Sequence, residues 1–187
     1  MQFEKTAIEG VWIIRPVRHG DRRGYFSETF RSDLFGANVG AVAFVQDNES
    51  LSARNVVRGL HLQREPYAQA KLVRVSEGRV MDVAVDMRRG SATFGRHVSV
   101  ILDAEEGTQL FIPRGFAHGF RVLSEYARFQ YKVDNIYAPQ AELSILLDDP
   151  DLSIDWGIAK EQMVLSDRDM QGVTWRQAVS LVSEDSL

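Results

Sequence analysis

The chain has 187 residues, which lies within the usual range of a single domain, and its formal net charge of -4 is spread without any block of like charges. This charge pattern argues against a nucleic-acid partner. The absence of cysteine excludes disulfides, a thiol nucleophile and a cysteine-ligated metal. The opening MQFEKTAIEG lacks the apolar core of a signal peptide, and no stretch approaches the roughly 18 apolar residues that cross a bilayer. We therefore expect a cytoplasmic protein without a membrane partner.

Short apolar segments separated by turn signals recur along the chain and predict strands. In chain order they cover residues 11–18, 25–30, 42–46, 70–76, 79–86, 97–102, 109–113, 118–123 and 127–133. Only two short helices are predicted, at 32–38 and at about 174–182. So many strands without long helices predict an all-β sandwich or barrel, formed by one domain over residues 1–187.

Alternation along these strands places several polar side chains on the apolar face. Four residues share a face with apolar neighbours in this way: Lys71, Asp82, His118 and Tyr131. Taken one at a time, such residues are typical of strand ends that are open to water. Together they predict a small-ligand pocket inside the sandwich, with an apolar wall and a few convergent ionisable groups.

The stretch RGLHLQ poses a geometric question about Arg58 and His61. Residues three apart point to opposite faces of a regular strand. Both can serve one pocket only if Gly59 marks a bulge or the strand begins after it. Otherwise Arg58 lies on the surface.

Two segments resemble the metal-binding motifs of cupin β-barrels. PRGFAH, from Pro113 to His118, matches the second motif, PxGxxH, but the HxH of the first motif reads His61-Leu62-Gln63. An amide is a poor substitute for imidazole at a transition metal. A site of His61, His118 and Glu65 is the metal-dependent alternative. The favoured interpretation is a metal-free site in which His61 carries protons.

The chain closely resembles the dTDP-4-dehydrorhamnose 3,5-epimerases. The resemblance rests on RGYFSETF, FVQDNES, VRGLHLQ, AKLVRV, VMDVAVDMR, SATFG, LFIPRGFAHGF, FQYKVDNIYAP and LSDRD, in that order. It implies a cupin-type jelly roll, a double-stranded β-helix, that needs no cofactor and forms a homodimer. It further implies that an N-terminal region (about 1–50) is exchanged between subunits and that a C-terminal segment (about 157–187) packs on the barrel. The implied substrate is a dTDP-4-keto-6-deoxy sugar.

The same resemblance implies roles for individual residues. His61 matches the base that removes the C3 and C5 protons, Asp169 its carboxylate partner, and Tyr131 the acid on the opposite face. Lys71 is expected to face the C4 oxygen, with Asp82 holding it. Further residues are expected around the nucleotide, diphosphate and sugar: Arg23, Phe26, Glu28, Gln46, Asp47, Asn48, Arg58, His118, Tyr137, Glu142 and Arg168.

Three departures from the family pattern leave the substrate open. Leu62 replaces an aromatic residue, Arg168 replaces a lysine, and SILLDDPDL replaces a tract that usually resembles ILWNDP. The alternatives are therefore an epimerase that inverts only one carbon of another 4-keto nucleotide sugar, a metal-dependent cupin, and a non-catalytic nucleotide-sugar binding module.

Overall fold

The computed structural model describes residues 1–184, with side chains described to residue 182. The strands of this part of the chain are β1 (Gln2–Lys5), β2 (Trp12–Arg15), β3 (Arg18–Asp21), β4 (Gly24–Ser27), β5 (Gln46–Ala53), β6 (Val57–Gln63), β7 (Lys71–Glu77), β8 (Arg79–Asp86), β9 (His97–Asp103), β10 (Gln109–Ile112), β11 (Phe116–Val122), β12 (Tyr126–Val133) and β13 (Glu142–Ser144). The helices are α1 (Ser32–Asn38), α2 (Asp167–Met170) and α3 (Trp175–Glu184), with 3-10 turns at Pro139–Ala141 and Lys160–Gln162.

Two antiparallel sheets face each other. The six-stranded sheet has the order β1-β2-β10-β7-β12-β5, and the five-stranded sheet has the order β13-β6-β11-β8-β9. Strands β3 and β4 form a separate two-stranded hairpin. The all-β jelly-roll prediction is confirmed, as are the short helices. None of the helices within residues 1–184 is long and apolar enough to cross a membrane.

The main core lies between the sheets and is built by the alternation of their strands. Val73 and Val75 of β7 and Phe129 of β12 project from the six-stranded sheet, and Val80 and Ala84 of β8 meet them from the other sheet. All five are nearly inaccessible to solvent. Burying such side chains stabilises the sandwich by roughly 1.5–3 kcal/mol for each large apolar group.

A second core lies on the outer face of the five-stranded sheet. Leu60 and Leu62 of β6 are buried there against Trp156, Trp175 and Ala178 of the C-terminal segment. Parallel bridges between residues 56 and 164 and between residues 145 and 173 attach this segment to the sheet. The segment thereby brings α2 against β6.

The strand predicted at 42–46 is wrong. Val42 and Phe44 instead pack around Phe35 of α1, and the strand begins at Gln46. This strand, β5, was not recognised because its sequence, QDNESLSA, is polar on both faces. One face of β5 meets solvent and the other lines polar cavities, so the apolar alternation that marks a strand is missing.

Candidate active site

A β-bulge in β6 brings Arg58 and His61 to the same cavity. The register against β11 shifts, so that Gly59 and Leu60 both lie opposite Gly119. Gly59 has a φ of +121°, and a Cβ there would lie 2.6 Å from the Cα of Gly119. The extra residue resets the alternation of the strand, so Leu60 is buried on the outer face while Arg58 and His61 line the cavity. Of the two arrangements that the sequence left open, the structure has the bulge, and Arg58 enters the pocket.

The cavity has a volume of about 300 Å³ and lies between the sheets. Arg58, His61 and His118 line it from the five-stranded sheet, and Lys71 and Tyr131 line it from the six-stranded sheet. The alternation of the sequence correctly predicted that Lys71, His118 and Tyr131 face one interior space. Ionisable groups from both walls therefore surround a volume suited to a small polar ligand.

His61 and Asp169 form a close pair. The Nε2 atom of His61 lies 2.7 Å from Oδ1 of Asp169, a close contact between the imidazole and the carboxylate. Asp169, which is 4% exposed, also accepts hydrogen bonds from the Ser166 hydroxyl at 2.6 Å and the Gly59 amide at 3.2 Å.

The charge of Asp169 follows from these contacts. Burial by itself raises the pKa of this carboxyl, but the contacts with His61, Ser166 and the Gly59 amide outweigh burial and lower its pKa to about 2. Asp169 is therefore an anion at neutral pH. Because it contacts Nε2, it orients the ring and leaves Nδ1 as the nitrogen that can accept a proton from a ligand.

Lys71 is a poorly solvated cation at the start of β7. Burial lowers its pKa to about 8, while the negative charges of Asp82 and Glu142 act in the opposite direction. The ammonium form still predominates at pH 7. With little water around it, such a cation interacts more strongly with a developing oxyanion than a surface lysine would.

Asp82 is fully buried and bonds to His118. Its two oxygens lie 2.9 and 3.1 Å from Nε2 of His118. Burial lowers the pKa of His118; Asp82 opposes this shift and the charge of Lys71 adds to it. The expectation that Asp82 holds Lys71 is supported only by the charge interaction between them, because the hydrogen bonds of Asp82 go to His118 on the neighbouring strand β11.

Tyr131 lies on the wall opposite His61. Burial raises the pKa of its phenol, and the charge of Glu142 raises it further, whereas Arg58 lowers it. The side chain therefore keeps its proton at neutral pH and can act as a donor. His61 and Tyr131 approach the cavity from different sheets, which is the arrangement that proton transfer on two faces of one molecule requires.

A charged cluster borders the same cavity. The carboxylate of Glu142 accepts a hydrogen bond from the Tyr137 hydroxyl and forms a salt bridge with Arg168. All three residues line the cavity. They come from three separate segments: the loop after β12, strand β13 and helix α2.

The β3–β4 region does not reach the cavity of its own chain. Phe26 is 70% exposed, Arg23 pairs with Asp21, and Glu28 lies 3.9 Å from Arg31. None of these residues is among those that line the cavity in the described part of the chain. Their expected contact with substrate is not made within one subunit.

Gln46, Asp47 and Asn48 also lie away from His61. Gln46 donates to Asn48 at 2.8 Å, while Asp47 points to the outer face and pairs with Lys132 at 2.8 Å. Asp47 and Asn48 border a second cavity of about 360 Å³, which Tyr131 also lines. Among the predicted site residues, Asp47 and Asn48 therefore line the second cavity, and Tyr131 lines both cavities.

Two polar residues that bond to site residues, Ser166 and Ser52, were not predicted from the sequence. Ser166 caps α2 and bonds to Asp169, and Ser52 of β5 accepts a hydrogen bond from Nε of Arg58 at 3.0 Å. The pattern Ser-x-x-Asp at the start of α2 is typical of a helix cap and could have indicated Ser166. No pattern indicated Ser52, because its contact depends on the fold.

The three residues of the alternative metal site, His61, His118 and Glu65, do not share one cavity. Gln63 is buried, and its Oε1 accepts a hydrogen bond from the Ala138 amide at 2.8 Å. Glu65 is exposed and does not line the cavity with His61 and His118. Within residues 1–184, no three His, Asp or Glu side chains are placed to hold a metal ion.

The family model described as dTDP-4-dehydrorhamnose 3,5-epimerase matches residues 5–177. A protein of that name from Shigella flexneri is 50% identical over 173 residues, which cover 92% of this chain and 94% of the relative. This chain belongs to the dTDP-4-dehydrorhamnose 3,5-epimerase family. The match spans every candidate residue from Arg23 to Asp169.

Solved members of the epimerase family share the fold. A dTDP-6-deoxy-D-glucose-3,5-epimerase from Legionella pneumophila, in complex with dTDP-4-keto-L-rhamnose, is 44% identical with a TM-score of 0.91, covering 98% of this chain and 96% of that one. A 3'-monoepimerase from Streptomyces bikiniensis, in complex with dTDP-quinovose, is 38% identical with a TM-score of 0.88, covering 94% and 89%. The fold therefore accommodates proteins described as inverting one centre and proteins described as inverting two.

Proposed function

We propose that the protein is an isomerase that inverts C3 and C5 of dTDP-4-dehydro-6-deoxy-D-glucose, giving dTDP-4-dehydro-L-rhamnose in dTDP-L-rhamnose biosynthesis. The observation that carries the proposal is the placement of His61, paired with Asp169, on one wall of the cavity and Tyr131 on the other. The identity of about half to the relative from Shigella flexneri supports the same substrate.

The chemistry follows from the acidity of C–H bonds next to a ketone. His61 takes the proton from the carbon, and the electron pair of that bond moves into the enolate, whose negative charge lies on the C4 oxygen. Lys71 stabilises this oxyanion. Tyr131 then donates its proton to the same carbon from the opposite face, which inverts the centre. Water returns a proton to Tyr131 and takes one from His61. Because nothing is oxidised or reduced, no redox cofactor is needed.

The rim of the cavity suits the diphosphate and the sugar. Arg58 is held through Nε by Ser52, so its terminal nitrogens remain available as paired donors for phosphate oxygens. Arg168, Tyr137 and Glu142 border the same opening. We assign the contacts with the sugar to His61, Lys71, His118 and Tyr131.

The active unit in this proposal is a homodimer. The hairpin formed by β3 and β4 pairs only with itself among the described strands, and it presents Tyr25 and Phe26 to solvent at 61% and 70% exposure. Exposed aromatic residues on a projecting hairpin favour insertion into a second copy. Arg23, Phe26 and Glu28 would then complete the partner's site, as the family resemblance implies. A cytoplasmic location remains a prediction.

Deuterium exchange tests the proposal directly. The protein is incubated in D₂O with dTDP-4-dehydro-6-deoxy-D-glucose, and the C3 and C5 protons are followed by NMR. We expect both to be replaced and the product to have inverted configuration at both carbons. A folded protein that binds thymidine diphosphate but exchanges neither proton would refute catalysis and leave the binding-module alternative.

The same spectra separate the two classes of epimerase. Exchange and inversion at C3 alone would assign the protein to the single-centre class, to which the Streptomyces bikiniensis neighbour belongs by its description. A competing assay with other 4-keto nucleotide sugars would then identify the preferred substrate. Loss of exchange after chelation, restored by a divalent metal, would instead favour a metal-dependent cupin.

A further inference from the structure

Ser166 immediately precedes α2, and its hydroxyl makes two hydrogen bonds to Asp169. The hydroxyl donates to Oδ2 of Asp169 at 2.6 Å, and it accepts the Asp169 amide at 3.2 Å. Accepting an amide is all that a helix cap needs to do. The donated bond goes beyond capping, because it places the single proton of the hydroxyl on the carboxylate.

The two oxygens of the Asp169 carboxylate have different partners. Oδ2 accepts the Ser166 hydroxyl, whereas Oδ1 lies 2.7 Å from Nε2 of His61 and accepts the Gly59 amide at 3.2 Å. Because the carboxylate group is planar, a bond that fixes Oδ2 also restricts the direction of Oδ1. The Ser166 hydroxyl thereby helps to set which edge of the carboxylate meets the imidazole.

A small cavity gives the same carboxylate an alternative position. Asp169 borders a cavity of about 140 Å³ that His61 does not line. Lys160 lines this cavity too, and its ammonium pairs with Asp148 at 2.5 Å. The volume exceeds what one water molecule needs. A carboxylate that lost its bond to Ser166 would therefore have room, water and a cation on the side away from His61.

The segment around α2 is attached to the rest of the fold without Ser166. Val164 and Val173, on either side of α2, each make two backbone hydrogen bonds to the chain around β6 and β13, at 2.9 to 3.1 Å. Ser166 itself is exposed. A substitution at this position should leave the segment in place, so its effect can be assigned to the carboxylate of Asp169.

We infer that Ser166 is a positioning residue, which holds the Asp169 carboxylate against His61 and so keeps the imidazole in the orientation of a base, without contacting the substrate. The role of the imidazole as a base rests on the proposed epimerase function. The orientation of the imidazole does not, because it is a property of the protein without substrate.

The tautomer of His61 tests the inference independently of activity. A carboxylate at Nε2 favours the neutral imidazole that carries its proton on Nε2, and the ¹⁵N chemical shifts of the two ring nitrogens measure the tautomer ratio. The chain has four histidines, so ¹⁵N-labelled histidine gives a spectrum that can be assigned. In the neutral imidazole we expect Ser166→Ala and Ser166→Gly to lower the ratio of the Nε2–H form to the Nδ1–H form by about fivefold, the change expected for one net hydrogen bond.

Matched variants separate the hydroxyl from the helix cap. Glycine caps a helix almost as well as serine, so Ser166→Gly removes the hydroxyl and largely spares α2. Ser166→Thr keeps a hydroxyl and should restore the wild-type tautomer ratio. Thr174→Ala removes the corresponding cap of α3, where the Thr174 hydroxyl accepts the Gln177 amide at 3.4 Å, and should leave the tautomer of His61 unchanged.

The kinetic readout connects the orientation of the imidazole to catalysis. For Ser166→Ala and Ser166→Gly we expect kcat for C5 proton exchange to fall about 5- to 10-fold, with KM for the 4-keto sugar nucleotide within about twofold of the wild-type value. Ser166→Thr should restore kcat, and Thr174→Ala should match the wild type in both constants.

An unchanged tautomer ratio in folded Ser166→Ala would overturn the inference, because water would then replace the hydroxyl without consequence. If Ser166→Ala fails to fold, Ser166→Gly decides the matter. An equal effect in Ser166→Thr or Thr174→Ala would also overturn it, since the change would then follow stability, and so would a rise in KM alone, which would place Ser166 in substrate binding. A shifted tautomer ratio in a protein that exchanges neither the C3 nor the C5 proton would refute the proposed function and retain the positioning of the imidazole.

Discussion

The imidazole of His61 has a role that substitution can separate from binding. His61→Asn removes the proposed base but keeps a polar side chain beside Asp169. We expect the rate of deuterium exchange at C3 and C5 to fall by roughly 100- to 10,000-fold, the usual contribution of a general base. Calorimetry should show thymidine diphosphate binding within about threefold of wild type. Undiminished exchange would exclude His61 as the base.

Tyr131→Phe tests the opposite wall. The substitution removes only the phenolic hydroxyl, whose raised pKa keeps it protonated at neutral pH. His61 can still remove and return a proton on its own face, so exchange should persist while formation of the inverted product falls by roughly 100-fold or more. Both quantities come from one NMR time course. An equal loss of exchange and inversion would show that Tyr131 positions the substrate.

The charge of Lys71 predicts an alkaline limit to activity. Burial lowers its pKa to about 8, so the ammonium is lost in the free enzyme as the pH rises through about 8. The value of kcat/KM, measured from pH 6 to 10, should therefore fall above about pH 8. Because the pKa of Lys71 is lower in the folded state than in the unfolded state, the unfolded state binds more protons between about pH 8 and 10.5. The contribution of Lys71 to the free energy of unfolding therefore rises with pH over this range. A kcat/KM that is flat to pH 10 would contradict a requirement for charged Lys71.

At the level of elements, the bulge in β6 is the feature that assembles the site. Gly59→Ala would place a Cβ 2.6 Å from the Cα of Gly119 and 2.7 Å from the carbonyl oxygen of His118, at a positive φ. We expect a loss of roughly 2–4 kcal/mol in the free energy of unfolding, measured by urea denaturation. Both contacting groups are main-chain atoms, which cannot move without distorting β6 or β11. Activity should fall with it, since Arg58 and His61 move.

Gly36→Ala is the control for this substitution. Gly36 lies inside α1, and a Cβ there meets nothing within 4 Å. Alanine should stabilise the helix by roughly 0.5–1 kcal/mol and leave activity unchanged. If the two glycine variants had the same unfolding midpoint, the close approach of β6 and β11 would not constrain the fold.

The C-terminal segment places α2 beside His61, the proposed base. Helix α2 presents Asp169 to β6, where the Gly59 amide at the bulge donates to its carboxylate. The family resemblance predicted that Asp169 contacts His61. Strand alternation and helix periodicity do not predict this contact. The contact depends on how the segment packs over Leu60 and Leu62.

At the scale of the whole molecule, mixing two inactive variants tests the exchanged dimer. One variant carries His61→Asn and the other Arg23→Ala, each alone with low activity. If Arg23 serves the partner's site, a mixed dimer contains one site with two intact residues and one with neither. Refolding the variants together should then restore roughly a quarter of wild-type activity at equal mixing, since half of the dimers are mixed.

The controls for this experiment are the two variants refolded separately and their masses in solution. No recovery, although light scattering shows mixed dimers, would place Arg23 in the site of its own chain. A monomeric wild type would contradict the dimer itself.

Strand alternation was enough to predict the β class, most strands and the polar residues that face inward. These features follow from alternation: Lys71, His118 and Tyr131 interrupt apolar faces at regular spacing, and that signal is local. Alternation did not predict β5, because a strand with polar residues on both faces has no apolar period.

The contacts between those groups could not be predicted from alternation, because they depend on how the two sheets pack. Only the packed sheets show that Asp82 bonds to His118, that Gln63 holds the Ala138 amide, and that Arg58 enters the cavity beside His61. These contacts join residues far apart in the chain. The entry of Arg58 into the cavity depends on the register of β6 against β11, where one extra residue changes the face of the side chains beyond it.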